Sequence, residues 1–163
     1  MIYSKTCEYA IRALIHFADH PDTHSATVKE VSRDSGVPAP YVAKIFQCLV
    51  KTRILGSRRG PAGGYSLLIP VSELTLLKIV RSLDDLSRSP FSNCVMGFEQ
   101  CNDKNPCPLH PIWSETKKQI QRQLDQSTVC DISKLAHRFK NGKTSRSTLS
   151  VQFRKVFGQT KKT

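Results

Sequence analysis

One stretch near the middle of the chain, residues 93–110, sets the strongest limit on how this sequence can fold. It reads NCVMGFEQCNDKNPCPLH and holds three of the six cysteines, Cys94, Cys101 and Cys107, followed by His110. Its glycine, asparagine, aspartate and proline residues exclude a helix interior. The stretch therefore predicts a loop that carries three thiols and an imidazole.

The spacing of these side chains, C-x6-C-x5-C-x2-H, is typical of a metal site. Thiolates select soft metals: zinc, copper(I) or the irons of a cluster. Structural zinc sites usually place paired cysteines roughly two to four residues apart, and both gaps here are wider. The wide loop favours an iron–sulfur cluster, whose irons lie apart. Zinc, or ordinary cysteines with or without a disulfide, remain the alternatives.

The charge is strongly basic and unevenly distributed. The formal net charge is +12, and residues 132–163 carry nine Lys/Arg and no acid. Residues 35–72 also lack acids but include five basic residues: Lys44, Lys51, Arg53, Arg58 and Arg59. Such an excess predicts a polyanionic partner, with nucleic acid first. We expect residues 138–163 to form a basic, disordered tail.

No apolar run reaches transmembrane length, and the first twenty residues carry charges throughout. Neither a membrane partner nor a signal peptide is indicated, so we expect a cytoplasmic protein. In that reducing compartment, six cysteines do not imply a disulfide framework. The chain also lacks a P-loop, Gly-x-Ser-x-Gly and His-Glu-x-x-His, and we expect that it is not an enzyme.

The first half of the chain has the pattern of a helix-turn-helix. Apolar residues recur at three- and four-residue steps over residues 3–19 and predict a helix. A capping box formed by Thr27 and Glu30 opens a short helix that Gly36 ends. A further helix is predicted from about Pro38 to Thr52. Two short helices joined by a glycine turn are a helix-turn-helix.

A glycine-rich hairpin follows and predicts a wing. Residues 54–55 and 65–69 are short apolar strands, and residues 56–64 between them are a basic tip. An arginine at such a tip can enter the minor groove of DNA. The DNA contacts that we predict are Tyr41, Lys44 and Gln47 on the second helix, with Arg58 and Arg59 on the wing.

The remaining pattern is helical. A helix is predicted from Ser72, and a strongly amphipathic one from Leu109 to Ser127. The latter is a candidate dimerisation helix, with packing inside one chain as the alternative. We expect a mainly α fold with a small β-hairpin wing. Its parts are a winged helix-turn-helix (1–85), a cysteine-rich loop (86–110), dimerisation and closing helices (109–137) and the tail (138–163).

These pieces, in this order, resemble the Rrf-two (Rrf2) family of bacterial winged-helix repressors, which includes iron–sulfur cluster regulators and nitric-oxide sensors. The matching stretches are YAIRAL at residues 9–14, residues 37–46 and the wing RGPAGGY at residues 59–65. The three cysteines and the helix after them match as well. The resemblance covers about residues 1–136 and leaves the tail outside.

The resemblance implies a homodimeric repressor in the bacterial cytoplasm that binds double-stranded operator DNA. It also implies one iron–sulfur cluster per subunit, either 2Fe–2S or 4Fe–4S, held by Cys94, Cys101 and Cys107. Two fourth ligands fit the family pattern: His110, in a Cys-x2-His position, and Glu8, donated by the partner subunit. The cluster would sense redox state, nitric oxide or iron status. The alternative is a winged-helix regulator with a zinc or thiol-switch loop and no cluster.

Overall fold

The computed structural model describes residues 3–60, 63–84, 93–98 and 102–140. These residues form six helices and a two-stranded antiparallel hairpin. In chain order the elements are α1 (Lys5–Asp19), α2 (Val28–Ser35), α3 (Ala39–Lys51), β1 (Leu55–Arg58), β2 (Gly64–Leu67), α4 (Leu76–Leu83), α5 (His110–Gln126) and α6 (Val129–Lys140). The expected fold class, mainly α with a β-hairpin wing, is confirmed.

Helix α1 is the centre of the core. It packs against α2, α3, α4 and α6, and its buried face has the predicted spacing. The largest side chains that it helps to enclose are Phe46, Leu49, Ile54 and Ile79, all at most 2% exposed. Burial of each such side chain stabilises a fold by about 1.5–3 kcal/mol. The apolar core therefore rests mainly on the first half of the chain.

The local signals for the helix-turn-helix produce the expected structure. Thr27 Oγ1 accepts from the Glu30 amide, while the Glu30 carboxylate accepts from the Thr27 amide at 2.8 Å. Gly36 ends α2 with a φ of +66°, in the left-handed region that favours glycine. Helix α3 follows with Pro38 at its N-cap and Pro40 in its first turn.

The wing is shorter at its tip than the sequence predicts. Strand β1 continues to Arg58, which pairs with Gly64, and β2 begins at that glycine. The start of β2 lies close to the chain before α2, because Ala26 and Tyr65 exchange backbone hydrogen bonds of 2.8 and 2.9 Å. A Cβ on Gly64 would lie only 2.9 Å from the Ala26 carbonyl oxygen. The chain before α2 thus pairs with the wing, and Arg58 belongs to a strand.

Two helix starts also differ from the sequence prediction, which placed them at Ser72 and at about Ile132. Helix α4 begins after Thr75, whose hydroxyl accepts from the Lys78 amide at 3.2 Å, whereas the chain before it turns at Pro70. Helix α6 begins at Val129 because Thr128 caps it and bonds to Asp131 at 2.7 Å. The Thr75 and Thr128 segments form an antiparallel bridge, so each start holds the other in place.

Helix α5 has nearly its predicted bounds, and within one chain its apolar stripe is only partly buried. Of its side chains only His110 is buried, while Trp113, Thr116, Ile120 and Leu124 are half-buried and Leu109, just before it, is exposed. The apolar stripe therefore lies at the edge of the fold. Within the described residues no helix is long and apolar enough to cross a bilayer. Helix α6 includes residues 138–140, which the sequence placed in the tail, and residues 141–163 lie outside the described residues.

Candidate DNA-binding face and cysteine site

Helix α3 exposes the polar face that the sequence predicts. Tyr41, Lys44 and Gln47 are all exposed and follow one another at three-residue steps. Val42, Ile45, Phe46 and Leu49 on the opposite side are buried. The helix is therefore fixed by its apolar side and presents hydrogen-bonding groups and a positive charge outward, the arrangement by which a recognition helix reads a groove.

Tyr41 is oriented by α1 rather than by its own helix. Its ring meets the ring of Tyr9 edge to face, with centroids 5.7 Å apart. Lys5 Nζ lies 5.2 Å from the Tyr9 ring. Tyr41 nevertheless stays 56% exposed. The face thus has one aromatic residue whose position depends on the packing of α1.

The two wing arginines occupy different positions. Arg58 is the last residue of β1, and Arg59 follows it in the turn; both are exposed. The prediction that both lie at the tip is therefore wrong for Arg58, since the strand extends through it. Gly63 donates its amide to Gly60 at 2.8 Å and closes the turn on the other side of residues 61–62, which lie outside the described residues.

The cysteine site is described in part. Cys94 Sγ lies 3.5 Å from Cys107 Sγ, and both residues are 8% exposed. The two cysteines are not joined in a disulfide. Cys101, the third predicted ligand, lies outside the described residues. The fold therefore places two of the three predicted thiols together, although they are 13 residues apart in the chain.

The surroundings of Cys94 favour its thiolate. Burial raises the pKa of the Cys94 thiol, but bonds with the Met96 and Phe98 backbone and with Cys107, and the charge of Lys117, outweigh burial and lower it. The thiolate is the form that binds metals. By contrast, burial raises the pKa of Cys7 in α1 to about 12 and keeps that thiol protonated. Cys94 and Cys7 are thus both buried but differ in the pKa of the thiol.

His110 stands where the cysteine segment meets α5. It is the first residue of α5, and its amide donates to the Cys107 carbonyl at 2.9 Å. Its Nε2 lies 2.8 Å from Asp103 Oδ1. Trp113, one turn further, donates Nε1–H to the Asn93 carbonyl at 3.1 Å. Sequence reasoning missed Asp103 and Trp113, because each acts across a loop that only the fold closes.

Glu8, the other candidate fourth ligand, lies on α1. It is half-buried, and its carboxylate is 2.7 Å from Lys5 Nζ and 3.9 Å from Arg12. The remaining cysteines, Cys48 and Cys130, lie in α3 and α6. The site geometry thus brings together Cys94, Cys107 and His110, and it leaves Glu8 on a different element.

Comparison with known proteins identifies this arrangement. A family model, the Rrf2 iron-dependent transcriptional regulator, matches residues 3–135. The chain belongs to the Rrf2 family. The match includes the winged helix-turn-helix, the described cysteine segment, all of α5 and the first part of α6. The Rrf2 resemblance stated from the sequence is therefore confirmed.

Individual relatives support the assignment to the Rrf2 family. An HTH-type transcriptional regulator of Aquifex aeolicus is 31% identical over 134 residues, covering 81% of this chain and 91% of that protein. IscR of Yersinia pseudotuberculosis is 27% identical and covers 76% of this chain and 74% of its own length. Because these relatives are transcriptional regulators, this Rrf2 protein is one as well, and the prediction that it is not an enzyme is confirmed.

Solved structures show the same fold. T. potens IscR superposes with a TM-score of 0.66 at 21% identity, covering 92% of this chain and 96% of that one. CymR of B. subtilis, the global cysteine regulator of that organism, superposes with a TM-score of 0.67 at 21% identity, covering 83% and 98%. Rrf2 proteins of this shape include an IscR and a cysteine regulator, so the shape leaves the cofactor open.

Proposed function

We propose that this Rrf2 protein is a homodimeric repressor of the bacterial cytoplasm that binds operator DNA under the control of an iron–sulfur cluster. The observation that carries the proposal is the buried Cys94–Cys107 pair, with sulfurs 3.5 Å apart and the Cys94 pKa lowered. This donor set fits a cluster, since the soft thiolates are close enough to share one metal centre. Cys101 would be the third ligand.

His110 is the fourth ligand that the geometry supports better. A metal-bound histidine usually donates its other ring N–H to a carboxylate, which fixes the tautomer. His110 Nε2 faces Asp103 Oδ1 at 2.8 Å, so Nδ1 would be the ligating atom. Glu8 of the partner subunit remains the alternative, and it would have to give up its contact with Lys5 at 2.7 Å.

Bound to these residues, a cluster supplies a centre that reacts with oxidants or nitric oxide. The rest of the coupling belongs to the chain. His110 begins α5 and is bonded to Cys107 just before it, and Trp113 joins α5 to the start of the segment at Asn93. Helix α5 packs on α4, the last helix of the winged region. A change of order in the segment therefore moves α5, and with it the spacing of two recognition helices on adjacent half-sites.

The apolar surface around this segment supports the homodimer. Exposed large apolar side chains are concentrated between residues 95 and 112: Val95, Met96, Phe98, Leu109 and Ile112 are 41–70% exposed. A cluster of exposed apolar groups of this kind marks an interaction surface. A second copy of the chain would cover it together with the half-buried stripe of α5.

The test is iron and sulfide analysis, with absorbance spectra, of anaerobically purified protein. We expect Cys94→Ala, Cys101→Ala and Cys107→Ala each to abolish iron binding, because a site with three thiolates cannot lose one and keep its affinity. Cys48→Ala and Cys130→Ala are the matched controls and should keep wild-type iron. Full iron content in Cys101→Ala would contradict the proposal. Colourless wild-type protein that loses operator binding on oxidation would instead support a zinc or thiol-switch loop.

The same spectra decide the fourth ligand. His110→Ala should change the cluster spectrum while Glu8→Ala leaves it intact. The reverse result would assign the role to Glu8 of the partner subunit. In that case a mixed dimer of Glu8→Ala and Cys101→Ala chains should hold at most one cluster.

A further inference from the structure

Away from the cysteine segment, two histidines and an aspartate meet where α1 joins α2. His16 lies in the last turn of α1 and His20, four residues later, caps the C-terminal end of that helix; their ring centroids are 4.5 Å apart. His20 Nε2 is 3.3 Å and His16 Nδ1 is 2.9 Å from the same oxygen, Oδ2 of Asp34 on α2. The ligand atoms of the three side chains all lie within 4.8 Å of one another.

His16 has a second feature that points to a ligand. The residue is only 7% exposed, and its buried Nδ1 has no hydrogen-bond partner among the described residues. The 2.9 Å contact with Asp34 Oδ2 is close but not aligned as a hydrogen bond. A buried polar atom without an aligned hydrogen bond is costly, even with the Asp34 carboxylate 2.9 Å away. A nitrogen and an oxygen that approach without bonding are arranged as two ligands of one cation would be.

We propose that His16, His20 and Asp34 form a site for a divalent transition metal of the zinc class. Imidazole nitrogen with a carboxylate oxygen suits zinc and its neighbours in the first transition series. Two histidines four residues apart on one helix face are a known zinc-binding arrangement. The third ligand comes from the next helix, so the metal would join α1 to the first helix of the helix-turn-helix.

The neighbours of the three ligands support this assignment. Asp34 Oδ1 accepts from Arg33 Nε at 2.9 Å, which turns Oδ2 toward the histidines. An adjoining cavity of about 290 Å³ is lined by the three ligands and, in part, by Arg12 and Asp19. Three protein ligands leave the fourth position of a tetrahedral zinc open. Water in this cavity can fill that position.

The site lies at a junction that positions the DNA-binding face. Arg12 Nη2 donates to the Ser35 carbonyl at 2.7 Å, just before the turn into α3. Asp19 Oδ1 accepts from Ser133 and His137 of α6 at 2.6 and 2.8 Å. A metal at the end of α1 would therefore fix α2 in the region where α1 also contacts α6. None of the three proposed ligands belongs to the cysteine segment, so metal binding at this site does not depend on the cysteines.

The experiment uses the full chain with Cys94→Ser, Cys101→Ser and Cys107→Ser, so that no segment thiolate competes for the metal. The metal-free protein is titrated with cobalt(II) and then with zinc(II). We expect one cobalt equivalent with ligand-field bands, no thiolate-to-cobalt charge transfer, and displacement by zinc. His20→Ala and Asp34→Asn should each weaken cobalt binding more than tenfold. His24→Ala, an exposed histidine in the next loop, is the matched control and should bind as the parent does.

A second measurement covers the case in which the triple serine variant fails to fold. In the chain with its cysteines intact, bound zinc should fall by one equivalent on His20→Ala and remain unchanged on His24→Ala. Absence of cobalt or zinc from the site in the folded chain would overturn the proposal. So would unchanged affinity in both His20→Ala and Asp34→Asn. Neither outcome bears on the iron content of the cysteine segment.

Discussion

The winged region and the segment that leads into α5 differ in what they bury. Within residues 3–60 and 63–84 the buried side chains are mostly apolar, and Phe46, Leu14 and Leu49 are fully enclosed. Around the cysteine segment the buried residues are Cys94, Cys107 and His110, whereas Phe98 and Ile112 are 61% and 70% exposed. The first region is stabilised by its own core. The second buries metal-binding groups and exposes apolar ones, and a ligand and a partner chain would complete it.

This difference is consistent with the proposed function, in which one chain reads DNA and also responds to a signal. A recognition helix must keep its geometry, and the packing of α1 against α2, α3, α4 and α6 provides that. A segment that senses a signal must change its conformation. A segment whose order depends on a bound ligand can change in this way. The two regions are in direct contact, because α5 packs on α4. Helix α4 is in turn tied to α1, since the Ser4 hydroxyl donates to the Asp84 carboxylate just after α4 at 2.6 Å.

The largest expected effect compares the same substitution in the two regions. Phe46 is fully buried, so Phe46→Ala should lower the free energy of unfolding by about 3–5 kcal/mol. Phe98 is 61% exposed in a single chain, so in the monomer Phe98→Ala should change the free energy of unfolding by about 0.5 kcal/mol or less. Urea denaturation followed by circular dichroism, at a protein concentration low enough to keep the chain monomeric, measures both. Equal losses would mean that the segment has a core of its own.

The next effect concerns the partner chain. Ile112 is 70% exposed and lies in the first turn of α5, so Ile112→Glu would put a charge on the proposed dimer surface. We expect the dimer dissociation constant to rise by about 30-fold or more, which corresponds to about 2 kcal/mol. Gln121→Glu adds the same charge on the opposite side of α5 and is the control. Sedimentation velocity over a range of concentrations measures both. An unchanged dimer in Ile112→Glu would place the interface elsewhere.

The same two regions show how far the sequence could predict the structure. The capping box at Thr27 and Glu30, the Gly36 turn and the α1 periodicity are local signals, and each produced the expected element. The predicted start of α4 was wrong because Ser72 and Thr75 are equally good N-cap residues when only the local sequence is considered. The choice between them depends on the bridge between Thr75 and Thr128, which is distant in sequence.

The candidate sites were also predictable to different degrees, because some of their contacts are local in sequence and others are distant. The exposed face of α3 follows from helical periodicity alone, so Tyr41, Lys44 and Gln47 could be placed together. Cys94 and Cys107 are 13 residues apart in the chain, and Asp103 and His110 are seven apart. Each contact forms only when the loop between the two residues closes. Cysteine spacing indicates a metal but does not fix these distances. The spacing of His16 and His20 was visible, but the approach of Asp34 depends on how α2 packs on α1.

A smaller effect tests whether the winged region alone carries specificity. Arg59 is exposed in the wing turn, next to Gly60, and can enter a minor groove. Arg59→Ala should weaken operator binding by about 1–3 kcal/mol and relax sequence preference. Lys78→Ala, which removes an exposed charge on α4, is the control and should leave preference unchanged. Titration against operator and scrambled duplexes measures this. Unaltered discrimination in Arg59→Ala would remove the wing from sequence recognition.

The smallest expected change in discrimination comes from deleting residues 141–163, a cut that leaves α6 whole. The deletion removes six basic residues and no acid: Lys143, Arg146, Arg154, Lys155, Lys161 and Lys162. Each phosphate that a basic side chain neutralises adds about 0.9 to the salt slope of binding, whatever the base sequence. The deletion should therefore weaken operator and scrambled duplex by the same factor and flatten the dependence on salt. Titrations at several salt concentrations measure both. If the deletion abolished discrimination while Arg59→Ala preserved it, specificity would lie in the tail and the division of roles proposed for the winged region would be wrong.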